Sequence, residues 1–148
     1  MKVEFTKEQF KNLMKLVYLG NWVANATRTE DRIEKYEKIE NYIYSFAKDF
    51  GLEKYVESEE ASKEKFYPTI FFEEGTDVNK LIEEYDNELF WAELSDRLGS
   101  RDFYNKYSEK ELKKMTAEER FVKRENHVGF WEEEFYKNGI ERIVVRNN

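Results

Sequence analysis

His127 is the single histidine of this chain, and cysteine is absent. A zinc or iron centre built on His127 needs further nitrogen or sulfur ligands, which the sequence does not contain. A carboxylate di-metal site in a helical bundle places a glutamate three residues before its histidine. Arg124 stands at that position. The expectation is therefore no metal and no cofactor. By helical angle His127 falls beside Phe121, Val128 and Trp131. A boundary histidine with a satisfied hydrogen bond is the plain reading there, and a catalytic one the sharper.

Other nucleophile patterns are missing as well. Without cysteine there is neither a thiolate nor a disulfide. No Gly-x-Ser-x-Gly elbow occurs, and Leu98-Gly99-Ser100-Arg101 reads as a helix stop followed by a cap. No glycine-rich phosphate loop is present. Catalysis has no motif behind it, and the reading leans away from an enzyme.

The polar run from Asp96 to Asp102 holds the best constellation. Asp96 projects onto an apolar stripe of its helix, and a buried carboxylate needs a charged or hydrogen-bonding partner. Arg124 or Arg101 can supply it. Two readings follow. One is an internal salt bridge between helices. The other is a polar pocket beside Trp91, built from Asp96, Arg101, Arg124 and His127, for an anionic ligand or a partner's acidic group.

Positioning these residues falls to a helix read over roughly residues 77–98, which carries two apolar faces. Val78, Leu81, Ile82, Tyr85, Leu89 and Ala92 share one stripe. Phe90, Trp91, Leu94 and Leu98 lie opposite. A surface helix needs only one such stripe, so the second is either covered by the same chain or a docking surface. The expectation has Phe90 and Leu94 buried and Trp91 nearer the rim, its indole N–H on a polar group. Phe90, Trp91, Leu94 and Leu98 are thus the candidate contacts with a protein partner or a second copy.

Around that helix the chain is well punctuated. Thr6 with Gln9, Ser108 with Glu111, and Thr116 with Glu119 each form a capping-box pattern, and Phe5 can staple onto Phe10. The first helix runs to about residue 26 with apolar residues on every side, which predicts a buried central element. Gly20 within it is read as a close crossing. Thr27 or Thr29 opens a second helix with the stripe Ile33, Tyr36, Ile39, Ile43, Phe46, Ala47 and Phe50, closed by Gly51. Residues 58–65 read as a loop or exposed turn, and residues 69–72 as a short strand or buried loop. Gly99 is read as the end of the two-faced helix, with a short helix after it. A last helix opens at Thr116 and ends at Gly139. Residues 140–145 read as a strand pairing with residues 2–5 or 69–72.

Composition bounds the class. The 148 residues carry 39% charged side chains and a net charge of −7. Such a charge load can signal disorder, yet a quarter of the residues are Leu, Ile, Val or Phe, and Tyr and Trp add further burial. A folded domain with a charged shell follows. The acidic balance argues against nucleic acid and anionic membranes as partners. The basic stretch Lys113, Lys114, Arg120, Lys123 and Arg124 is diluted by Glu111, Glu118, Glu119 and Glu125, as in a mixed solvated face. No run approaches the length of a membrane span, and residues 1–5 lack the apolar core of a secretory leader. Asn25-Ala26-Thr27 fits a glycosylation sequon by chance in that setting.

The sequence thus predicts a mainly α fold, a single helical domain over 1–148, bundled around a buried N-terminal helix with a short strand pair near the termini. The functional expectation is a non-enzymatic protein–protein interaction module in the cytoplasm, acting as a small regulator or inhibitor. The alternative is a small-molecule-binding protein or enzyme using the pocket near Trp91, Asp96, Arg101 and His127.

Overall fold

Thr6 opens the first helix, α1 (Lys7–Asn25), as its pattern predicts. Its hydroxyl accepts from Gln9 N at 3.2 Å, Gln9 Oε1 accepts from Thr6 N at 2.9 Å, and the Phe5 ring meets Phe10 edge-on. These contacts satisfy helix-end donors that would otherwise be orphaned. In this computed structural model, which describes residues 2–59 and 62–144, the chain is mostly helical, with six α-helices and one two-stranded antiparallel sheet among the described residues.

After α1 come α2 (Glu34–Ser45), a 3₁₀ turn over Ala47–Phe50, and a second over Glu53–Tyr55. Gly51 sits between the turns at φ 62°, the left-handed conformation expected of a residue that closes a helix. Next are β1 (Val56–Glu59) and β2 (Ser62–Pro68), paired antiparallel with Val56 opposite Pro68 and Ser58 opposite Phe66. The chain continues as α3 (Ile70–Gly75), α4 (Val78–Lys106), α5 (Glu109–Lys114) and α6 (Ala117–Asn138). Ser108 and Thr116 cap α5 and α6 with full capping boxes.

Two compact units divide the chain within α4, Met1–Glu83 and Glu84–Asn148. In the first, Phe10, Met14, Tyr44, Ala47, Leu52, Tyr55, Phe72 and Val78 form one core. In the second, Ser95, Phe103, Val128 and Phe135 are buried along the seam of α4 and α6. No helix among the described residues is long and apolar enough to cross a membrane.

Several expectations are corrected. The strand pair is not near the termini. Residues 140–143 instead form turns closed by Glu141 N to Asn138 O and Ile143 N to Ile140 O, while Val145 lies outside the described residues. Residues 70–72 are helical because the Thr69 hydroxyl accepts from Phe72 N and starts α3. The hairpin forms where a loop is expected, with Asn41 Nδ2 donating to Phe66 O and Phe66 packed on the core. α1 is not buried all round, since Leu16 and Val23 are about two-thirds exposed. α2 begins without help from Thr27 or Thr29. Buried Asn25 accepts from Ile33 N at 2.7 Å and holds the entry to α2.

The glycines correct the reading furthest. Gly99 does not end a helix; α4 runs through it to Lys106. A Cβ at Gly99 would stand 2.6 Å from the Val128 Cα, so this is the close crossing of the molecule. Gly20, read as such a crossing, has nothing within 4 Å of its missing Cβ.

Candidate functional site

Within Glu84–Asn148, the close approach at Gly99 and Val128 sets α4 and α6 side by side and pushes large side chains to the edges of the seam. The aromatic rings there form a continuous ladder. Phe90 meets Trp91 edge-on at 4.9 Å, Trp91 meets Phe135 at 5.4 Å, Phe135 meets Trp131 at 5.4 Å, and Trp131 meets Phe130 at 5.5 Å. The ends of the ladder are open: Phe90 is 52% and Phe130 60% exposed. A cleft of about 480 Å³ beside Trp91 is lined by Glu88, Ser95, Glu132, Phe135 and Tyr136. A smaller one of about 190 Å³ lies beside Phe130 and Trp131.

Of the four residues expected to contact a partner, Trp91, Leu94 and Leu98 are half-buried and Phe90 is exposed, although burial is the expectation for Phe90. Trp91 donates its indole N–H to Asn87 Oδ1 at 3.2 Å. The ladder's α6 rungs, Phe130, Trp131 and Phe135, are absent from the expected contact set. Their signal lay in the run Phe130-Trp131 followed by Phe135, a one-turn repeat of large rings on α6.

The expected polar pocket splits into two clusters. Asp96 pairs with Arg124, whose Nε donates to Ser100 Oγ at 2.9 Å and whose other amino group pairs with Glu125 at 2.8 Å. The hydrogen bond to Asp96 raises the Arg124 pKa above the ordinary arginine value, against a smaller lowering by burial. The Asp96 side chain is half exposed rather than buried. Arg101 joins the second cluster. It pairs with Asp102 at 2.8 Å and lies over the Trp131 ring, while Trp131 Nε1 donates to Asp102 at 2.8 Å. Burial works to raise the Asp102 pKa, but the bonds from Trp131 and Arg101 outweigh it and hold the carboxylate below the usual range. His127 sits against Phe103, with ring centroids 6.4 Å apart. Among the described residues no group of three or more His, Cys, Asp or Glu is placed to hold a metal ion.

A second polar network lies in Met1–Glu83. Asn25 Nδ2 donates to Asn21 Oδ1, and Asn21 Nδ2 donates to Glu40 Oε2, both at 2.7 Å. Tyr44 reaches Glu40 Oε1 at 3.4 Å, and Tyr18 donates to Glu73 at 2.9 Å. Burial, above all, raises the Glu40 pKa to about 7, against the bonds from Asn21 and Tyr44 that favour its charged form. Burial also leads in pushing both phenols up, helped by the neighbouring carboxylates. Glu40 borders two clefts, of about 550 and 220 Å³.

No protein-family model, curated protein or solved structure matches this chain.

None of Glu40, Asn21 or Asn25 stands out in the apolar pattern. The available signal was Asn21 and Asn25 one turn apart in an otherwise apolar helix, facing a glutamate one turn before a buried tyrosine.

Proposed function

We propose that the protein is a non-enzymatic interaction module whose ring ladder on α4 and α6 docks a protein partner. The observation that supports it most is the ladder itself: five rings in edge-on and tilted contact, open at both ends and flanked by two clefts. Aromatic anchors of this kind, half-buried beside a pocket, dominate the energetics of protein interfaces. Tyr136, on the rim of the larger cleft, is 92% exposed. An exposed ring there gains most by being covered.

The charges narrow the partner. Glu88 and Glu132 line the larger cleft, and neither has an ion-pair partner among the described residues. A segment that inserts an apolar side chain while presenting lysine or arginine to these two glutamates fits best. A small regulator or inhibitor in the cytoplasm remains our reading of its role, and a chain without cysteine fits a reducing compartment. The alternative pocket at Asp96, Arg101, Arg124 and His127 has less support, because its arginines are already satisfied by Asp96, Glu125 and Asp102.

Capture of partners from a host-cell extract by the immobilised chain, compared with Tyr136→Ala and Phe90→Glu, tests this reading. Both positions are exposed, so the melting temperature should hold. Retention of the partner should fall by about tenfold or more, the scale of one interface anchor, and should weaken with added salt. Light scattering run alongside separates a second copy of the chain from a foreign partner. Equal retention by all three proteins overturns the ladder as a docking surface.

A further inference from the structure

The larger cleft beside Glu40 lies in Met1–Glu83 and does not depend on the docking reading. It is lined by the Glu40 carboxylate, which Arg32 influences through space but does not pair with. Lining the same cleft, Arg32 pairs with Glu37, and Lys38 with Glu34 at 2.6 Å. Glu40 has no ion-pair partner among the described residues, although it is more buried than either of those glutamates. Asn21 satisfies Oε2 with a short bond, while Oε1 has only the long contact from Tyr44. One oxygen of a half-buried carboxylate is therefore left weakly served, at the edge of open space.

The walls define what fits there. Phe66 and Tyr67 come from β2, and Asn41 ties α2 to that strand through Phe66 O at 3.3 Å. Tyr67 is 45% exposed. An aromatic wall beside an unpaired carboxylate suits a cation with a planar or apolar body, because the charge finds its counterion and the body covers the ring. A metal ion is a poorer fit, since no cluster of three ligating acids or histidines exists among the described residues. A free anion would meet Glu34, Glu37 and Glu40, and of the cations lining the cleft Arg32 and Lys38 are already paired, which leaves Lys65.

We propose that this cleft binds a small organic cation, with an amidinium, guanidinium or ammonium group on the Glu40 carboxylate and its body against Phe66 and Tyr67. The charge arrangement makes binding depend on pH. The groups around Glu40 are Tyr18 of α1, Arg32 ahead of α2, Glu37 and Tyr44 of α2, Lys65 of β2 and, beyond the two phenols, Glu73 of α3. The phenols are raised further from neutrality, whereas Glu40 is pushed up to about 7 by burial. A cation needs the ionised form, so affinity rises with pH through that value.

The test titrates the full chain with benzamidine and with its neutral isostere benzamide, followed by the amide resonances of Asn21 and Asn41. Benzamidine should saturate at pH 8 and bind at least about tenfold more tightly than benzamide, the scale of a charge-assisted contact. Between pH 8 and pH 6 its affinity should fall by about tenfold, as Glu40 goes from mostly ionised to mostly protonated. Glu40→Gln should abolish both the preference for the cation and its pH dependence. Equal binding of the two probes by the wild-type chain, saturable binding by neither, or an unchanged preference in Glu40→Gln overturns the proposal. The two-probe comparison needs no variant, so it stands even if Glu40→Gln does not fold.

Discussion

Met14, Tyr44 and Phe72 fill the centre of Met1–Glu83 with large, fully buried side chains, whereas the seam of Glu84–Asn148 closes with Gly99 against Val128 and the small Ser95 buried one turn away. In the first unit a cluster of rings fills the centre, where Phe72 takes edge contacts from Tyr18, Tyr44 and Tyr55, although Tyr42 and Phe71 stay exposed. In the second, helices that approach closely leave little room between them, and most large rings are carried to the margins of the seam. The first arrangement gathers rings at its centre; the second strings them along an edge. Exposed rings in the second unit thus follow from how its helices pack rather than from a shortage of core.

The largest effect should come from the ring-filled core. Phe72→Ala removes a side chain with no exposed surface and should cost about 3–5 kcal/mol by urea denaturation. A loss below about 1 kcal/mol, the scale of ordinary surface changes, would break the contrast by showing a core able to collapse around the gap. Next is Gly99→Ala. The added methyl meets backbone atoms of Val128, which cannot swing aside, and should cost about 1–3 kcal/mol even after the gain in helix propensity. An unchanged or raised stability would mean that the helices are not held at this crossing.

Asp96→Ala sharpens the comparison at the edge of the same seam. From the sequence, a buried Asp96 paired across helices would cost about 3–5 kcal/mol when removed. With its side chain half exposed, the expected loss is about 0.5–1 kcal/mol, and it should shrink in high salt. A loss at the upper figure would place the pair in a far drier setting than the structure gives it. Gly20→Ala is the smallest effect and opposite in sign to Gly99→Ala. With open space around it, the methyl should add about 0.5–1 kcal/mol to stability. Destabilisation measured in the thermal midpoint would reinstate Gly20 as a packing position.

These paired glycines show what is legible in a sequence and what is not. Local chemistry reads well. Thr6, Ser108 and Thr116 cap their helices, and Gly51 and Gly139 follow helical segments, because a cap depends on residues within one turn of it. Faces read less well, because the apolar pattern follows hydrophobic residues while a close seam selects small or polar ones. On α4 buried Val78 belongs to an expected face, but beyond Glu84 the buried line is Ser95, Gly99 and Phe103, which neither expected face contains. On α2 the line Glu40 and Tyr44 lies beside the expected Tyr36, Ile39 and Ile43 stripe, and Ile39 is 47% exposed, whereas Ala47 of the same stripe is buried in the turn that follows. Asp96 and Arg124 were brought together as expected, but no periodicity could say that Arg101 would turn instead to Asp102 and Trp131. The hairpin was hidden for a related reason. Its strands are rich in charged residues, and what holds β2 against α2 is Phe66 with a bond from Asn41, contacts distant in sequence.

The three tryptophans are shared unequally between the units: Trp22 in the first, Trp91 and Trp131 in the second. Trp131 lies under a guanidinium and donates to a carboxylate, surroundings that tune the colour of indole emission. With excitation selective for indole, a Trp22→Phe chain therefore emits only from Glu84–Asn148, and a chain with Trp91→Phe and Trp131→Phe only from Met1–Glu83. Each half of the molecule thus carries an intrinsic optical reporter, through which its melting can be followed without attaching a dye.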